Sequence, residues 1–419
     1  MSDIFKESVQ TYFQKGFGLK GEVGPLLVQS YHSPVVARLK TLGFDASAGN
    51  FRFKLAREFG FCYGVDRAVE YAYEARTRFP DRRIFLSGEI IHNPDVNARL
   101  RSMDITILAE VKDSRARYAE VGAADVVILP AFGVTVADMQ LLTEKGCVLV
   151  DTTCGSVLNV WKMVHRYATD GFTVIIHGKH YHEETRATAS QALTHEGGHY
   201  LCVRDIAEAD IVCAFLRGEI PADAIRARFA DASSAGFDPD RDLERFGLAN
   251  QTTMLMSESF AIQERLRAAM QSRYGEAALS HRFRAFDTIC SATQDRQDAV
   301  REMLEAGGLD VMIVIGGYNS SNTQALAGMC APRVPTFHID SADCIDTDAI
   351  RHRPVHASAD VSTSGWLPRG PVTIGLTAGA STPDSIVGTV VERLLALHHC
   401  TPDQLVAFGG DLAAARSGE

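Results

Sequence analysis

Two rhythms of apolar and polar positions alternate along most of this 419-residue chain. Continuous blocks rich in Val, Ile and Leu read as strands covered on both faces: RIFLSGEI (83–90), ADVVILPAF (124–132), CVLVDTT (147–153), FTVIIHG (172–178), DVMIVIGG (310–317) and VTIGLTAGA (372–380). Between them run segments with helical spacing: 66–79, 136–146, 158–171, 259–274, 296–307 and 385–399. Several of these stop at Gly, a normal helix end. Strand–helix alternation predicts an α/β protein with mainly parallel sheets. Residues 1–50 are weakly patterned and read as an extension lying against the main body. Polar segment 217–247 reads as an insertion or exposed helix-loop, 344–370 as a loop, and 401–419 as a tail.

Three cysteines stand where a strand block ends and a helical pattern begins. They are Cys62 in FGFCYGVDRAVEY, Cys154 in VDTTCGSVLNVWKMV and Cys290 in FDTICSATQDRQDAV. Their spacing suggests three similar α/β units over 51–153, 154–286 and 287–400. A thiol at a helix start sits at the positive end of the macrodipole, which favours thiolate. Any one of them, taken alone, reads as a buried inert thiol. Three matched contexts instead suggest one shared metal site with a coordination position left open. No CxxC pair of a structural zinc site occurs, and thiolate-rich redox sites more often hold iron–sulfur clusters.

A formal net charge of −10 and a pI near 5.8 argue against a general nucleic-acid binder. No apolar run is long enough to span a bilayer, and the first residues lack the apolar block of a secretory signal. Nine cysteines without framework spacing favour a reducing compartment, the cytoplasm or a stroma. Cys147, Cys202 and Cys213 lie in apolar runs and read as inert.

Polar clusters follow the strand blocks, at the sheet edge where α/β proteins bind ligands. HGKHYHEET places His177, His180, His182, Glu183 and Glu184 together, and IHNPDVN adds His92. GGYNSSNT supplies Asn319, Ser320, Ser321 and Asn322; LTAGASTPDS supplies Ser381; ANQTTM supplies Gln251, Thr252 and Thr253. Helix starts rich in His, Ser and Asn suit phosphate oxygens, and a neighbouring carboxylic acid could supply protons. Each turn alone is ordinary helix capping; the set suggests a diphosphate. The GxxxxGK[ST] lysine of a Walker loop is missing.

In order, GFCYGVDRAV, IIHNPDVN, DTTCGSV, HGKHYHEET, NQTTM, DTICSATQDRQ, GGYNSSNT and GLTAGASTPD resemble the 4-hydroxy-3-methylbut-2-enyl diphosphate reductases, over about 52–400. HEET, the segment near 217–247 and the extension are similar to the branch of oxygenic phototrophs. The resemblance implies three α/β domains in pseudo-threefold arrangement around a 4Fe–4S cluster on Cys62, Cys154 and Cys290. It implies diphosphate binding by His92, His182, Ser320, Asn322 and Ser381 with Ser321 beside them, an acid at Glu184 and a hydroxyl-contacting Thr252. Spacing to Thr188 selects His182 over His180. The implied reaction yields isopentenyl and dimethylallyl diphosphate, with a ferredoxin or flavodoxin as electron donor. Where the best-known branch carries a third diphosphate-binding His, this chain has Phe132, so that contact is absent. A quinolinate-synthase-like dehydratase and a non-catalytic iron–sulfur sensor are the alternative readings.

Overall fold

The structure is a computed structural model, and it describes residues 11–408 except 112 and 287. The first ten residues, Asp287 of the FDTIC motif and most of the expected tail therefore lie outside the described residues.

Each Val/Ile/Leu block forms a strand, and the strands collect into three sheets. The first runs in the order Tyr12–Phe13, Val148–Asp151, Val126–Leu129, Ile84–Leu86, Ile105–Ile107, all parallel. The second, also parallel, runs Phe283–Ala285, Phe246–Asn250, Thr173–His177, Tyr200–Val203. The third runs Thr336–Ile339, Val311–Ile315, Val372–Ala378, Phe51–Leu55 in parallel, then adds Asp45–Ala48 and Val406–Ala407 antiparallel. The central strands are buried along their whole length, as continuous apolar blocks require. Among the described residues no helix is long and apolar enough to cross a membrane.

Two boundaries differ from the sequence expectation. FRFKL (51–55) opens the expected first unit, yet it pairs with Val372–Ala378 in the third sheet. Its alternating burial is that of a strand near a sheet edge, and nothing local to the sequence reveals a partner so distant along the chain. Residues 11–50 are not one appendage: Lys20–Tyr31 packs into the core of the first unit through Val23 and Tyr31. Pro34–Thr41 packs into the core of the third through Val35, Val36 and Leu39. The expected loop 344–370 contains an antiparallel hairpin, Ala349–His352 with Val361–Ser364. Segment 217–247 holds two short helices, Ala222–Arg228 and Pro239–Asp242, before strand Phe246–Asn250.

The cysteines mark hand-overs between units. Cys62 follows a strand of the third sheet and caps helix Tyr63–Arg78, whose Val65, Ala68 and Val69 pack into the first unit's core. Cys154 follows a strand of the first sheet and caps Gly155–Thr169, which packs into the second core through Val160 and Val164. Cys290 follows the second sheet and caps Ser291–Ala306, whose Val300 packs with Met312 and Val314 of the third. The chain thus passes from third to first to second to third unit, with one thiol at each passage.

Candidate active site

The same local construction recurs three times. Each cysteine N–H donates to a carbonyl two residues past the end of the neighbouring parallel strand: Cys154 to Ala131 (3.0 Å), Cys290 to Thr252 (3.3 Å) and Cys62 to Ala380 (3.2 Å). Those loops carry Phe132, Thr252 and Ser381. One strand further in each sheet, the loops carry His92, then His182 with Glu184, then Ser320, Ser321 and Asn322. The carboxyl ends of nine strands therefore deliver the residues singled out by sequence, as the crevice rule for parallel sheets predicts.

The thiols meet at a point. A Cβ on Gly64 would stand 2.5 Å from Cys154 Sγ and 4.0 Å from Cys62 Sγ, so both sulfurs look onto the start of one helix. Burial pushes the Cys290 thiol up to about 11, and negative charge on Cys62 and Glu184 pushes it the same way. Burial also raises Cys62, against the pull of the Val65 N–H and the Arg296 guanidinium. The helix starts do pull toward thiolate as expected, but desolvation wins. Holding these groups ionised together calls for a bound cation or cluster. Three half-buried sulfurs on three units suit an iron–sulfur group with one position left to a non-protein ligand. The remaining cysteines are also free, and Cys202 and Cys213 are buried in the second core, as inert thiols should be.

Glu184 lies beside them, in the first turn of helix Glu183–Ala192. Its carboxylate accepts from the Thr252 N–H (2.6 Å) and the Thr252 hydroxyl (3.0 Å). Burial raises its pKa to about 7, although both Thr252 bonds oppose the rise. A carboxyl with that affinity exchanges protons near neutrality.

The His pair has defined tautomers. His182 caps its helix by accepting the Glu184 N–H on Nδ1 (3.1 Å), so its proton sits on Nε2. Nε2 lies 3.2 Å from His92 Nε2, which must accept, leaving His92 Nδ1–H to donate to Glu89 (3.0 Å). Burial, then His92 and Lys179, hold His182 well below the usual imidazole range. Phe132 stacks on His92 with centroids 4.4 Å apart and meets His182 edge-on at 5.6 Å. His92, His182 and Glu183 could together ligate a metal ion, their donor atoms lying within 4.8 Å of one another. A cation there would need a bare His182 Nε2, which the Glu184 cap opposes.

The third wall is a set of buried caps. Ser320 Oγ accepts the Thr323 N–H, Ser321 Oγ accepts from Gln251 Nε2 (3.2 Å), and Asn322 Oδ1 accepts the Ala380 N–H (2.9 Å). Asn322 Nδ2 is buried without a partner, a donor poised for an anion. Ser381 Oγ donates to the His92 carbonyl (3.2 Å), tying the third unit to the first. Ser321, His92 and His182 line a cavity of about 1490 Å³.

Two members of the expected cluster are elsewhere. His177 is wholly buried in its strand, bonded to Ser259 (2.8 Å) and lowered to about 4 by burial. His180 packs edge-on against the exposed Tyr181 ring. Sequence reasoning did not single out Glu89, Lys179 or Arg296, which donates to the Gly60 and Phe61 carbonyls just before Cys62. An acid three residues before His92 was the available signal for Glu89.

The LytB protein family matches residues 53–395. The chain belongs to the LytB family. A 4-hydroxy-3-methylbut-2-enyl diphosphate reductase of a Synechococcus sp. is 47% identical over 388 residues, covering 92% of this chain and 96% of its own. The enzyme of that name from Gloeobacter violaceus is 47% identical over 93% of each chain. Among solved LytB-type structures, (E)-4-hydroxy-3-methyl-but-2-enyl diphosphate reductase, the terminal enzyme of the non-mevalonate pathway, superposes with a TM-score of 0.50 at 25% identity. It covers 82% of this chain and 98% of that one. The Plasmodium falciparum E-1-hydroxy-2-methyl-but-2-enyl-4-diphosphate reductase shares the fold, with a TM-score of 0.60 at 21% identity over 81% and 87% of the two chains.

Proposed function

We propose that this chain reductively removes the C4 hydroxyl of (E)-4-hydroxy-3-methylbut-2-enyl diphosphate. Two electrons and two protons enter, the C4–O bond breaks, and water leaves with isopentenyl or dimethylallyl diphosphate. The observation that carries the reading is Glu184: a wholly buried carboxyl with a pKa of about 7, held by Thr252, between a thiol trio and a wall of His, Ser and Asn donors. Relatives aligned over nine-tenths of the chain bear this reductase name, which favours it over the dehydratase and sensor readings.

Cys62, Cys154 and Cys290 would hold a 4Fe–4S cluster. When bound, such a cluster supplies low-potential electrons and a Lewis-acidic iron. His92, His182, Ser320, Ser321, Asn322 and Ser381 bind the diphosphate and fix the pose of the allylic chain. The Thr252 hydroxyl orients the C4 oxygen and passes it the proton of Glu184. Phe132 and the buried caps keep bulk water from the reacting carbon. Electrons come from a small reduced carrier, a ferredoxin or flavodoxin.

An anaerobic assay with reduced viologen and the hydroxylated allylic diphosphate tests the reading. Wild type should oxidise viologen with stoichiometric product. Cys62→Ser, Cys154→Ser and Cys290→Ser should each lose the broad visible absorption and the turnover. A wild type with intact absorption that leaves the substrate unreduced would sink the assignment.

A further inference from the structure

Lys179 makes no ion pair among the described residues. It stands in the turn between strand Thr173–His177 and the His182 cap. Its N–H donates to Gln251 Oε1 (3.1 Å), and its carbonyl accepts the His182 N–H (2.9 Å). The backbone is therefore pinned into the site while the half-buried side chain reaches across to the third unit, where Nζ donates to Gln324 Oε1 (2.6 Å). Gln324 donates its own NH₂ to the Tyr318 carbonyl, which fixes the amide with its oxygen toward Lys179. Burial lowers the proton affinity of the ammonium, and Arg204 lowers it further. Arg204 and Arg353 line the same cavity but already hold Asp205 and Asp360. A partly desolvated cation whose bond partner is a neutral amide is costly unless an anion joins it.

The cavity around it carries charge of both signs, with Arg101, Arg117 and Arg204 beside Glu89, Glu110, Glu183 and Glu258. Lys179, Gln324, His182, His92 and Ser321 line one space. Phe132 covers His92 with a ring that offers no hydrogen bond. In the free enzyme burial holds His182 well below the usual imidazole range, so it offers an uncharged Nε2–H, while His92 directs its Nδ1–H to Glu89. Neutral donors orient a diphosphate but do not offset its charge.

We propose that Lys179 is a substrate-binding residue whose ammonium pairs with the diphosphate and, through Gln324, draws the second and third units together around it. The inference rests on the diphosphate reading of the pocket above.

The test measures binding of inorganic diphosphate to anaerobically purified holoenzyme, at low and high salt, beside steady-state kinetics. Wild type should bind, with affinity falling as salt rises. Lys179→Met should weaken binding about ten- to a hundredfold, the range for a hydrogen bond to a charged group. It should raise KM by a similar factor, leave kcat within a few-fold and flatten the salt dependence. Lys179→Arg should recover most of the affinity, which a purely structural contact to Gln324 would not require. Should Lys179→Met fail to fold with its cluster absorption, Lys179→Gln keeps a polar bond to Gln324 without the charge and should show the same loss. If wild type binds diphosphate and the neutral variants bind it equally well, the lysine assignment is overturned and the pocket reading stands. If wild type binds no diphosphate, both fall.

Discussion

Glu184→Gln separates the acid's chemistry from its place in the fold. The amide has the shape of the protonated acid: its oxygen can accept the Thr252 N–H, and its NH₂ can donate to the Thr252 hydroxyl. Burial raises the Glu184 pKa from 4.5 to about 7, so ionising it in the folded protein is costly. At about 1.4 kcal/mol per pH unit, the cost above pH 7 is ~3 kcal/mol. The sign follows from proton counts. Below about 4.5 the carboxyl is protonated folded and unfolded alike. Between 4.5 and 7 the folded state keeps a proton that the unfolded state has released, so stability falls as pH rises. Anaerobic denaturant titrations of wild type and Glu184→Gln at pH 5 and pH 8.5 measure the difference. The variant should lie within about 1 kcal/mol of wild type near pH 5 and exceed it by ~3 kcal/mol at pH 8.5, while its turnover falls about a hundred- to ten-thousandfold. Diphosphate binding and visible absorption should persist. A stability gap that does not change with pH would refute the raised affinity, and unaltered turnover would refute the proton role.

Gly64→Ala should retain the helix, which Ala favours by about 1 kcal/mol over Gly. Its Cβ would nevertheless stand 2.5 Å from Cys154 Sγ, so the variant should fold by circular dichroism and lose most of the visible absorption. Full absorption would show that the sulfurs do not converge there. Thr252→Val removes one of two bonds that lower the Glu184 pKa, so the alkaline limb of the pH–rate profile should move to higher pH, by about one unit. A limb that stays or moves down would contradict the coupling. Phe132→His places a ring donor against His92 and His182 and should tighten inorganic diphosphate several-fold, by ~1 kcal/mol, in a calorimetric titration. Weaker binding would mean that Phe132 itself shapes the anion's seat.

The strands that carry the site were legible because each is a continuous apolar block that stops at a polar turn; Val126–Leu129, Thr173–His177 and Val311–Ile315 are buried throughout. The helices behind the cysteines were legible from their spacing. Phe51–Leu55 was assigned to the wrong unit because its partner lies more than three hundred residues away, and sheet order is a tertiary property. The Ala349–His352 hairpin was hidden because it is short and mostly polar. Within the site, residue types marked His92, His182, Glu184 and the Ser/Asn turns. His177 sits in the same motif, yet the pleat turns it into the core. Lys179 stood in plain view in HGKHYHEET, but what distinguishes it is a missing counter-charge, which only the surroundings reveal. Thiolate character was inferred from helix starts, and burial opposes it for a reason no linear pattern contains.

The passage of the chain from third to first to second and back to third unit makes the protein a closed loop of three links. No single α/β unit, cut out at its natural borders, owns a ligand set; each carries one thiol at its edge. The loop is fastened where Phe51–Leu55 lies against Val372–Ala378, strands more than three hundred residues apart in the chain. The first two sheets can assemble on the growing chain, but the seat of Cys62 is finished only when the last long strand arrives. The backbone seat of Cys62, whose N–H donates to the Ala380 carbonyl, therefore closes after the other two cysteine seats.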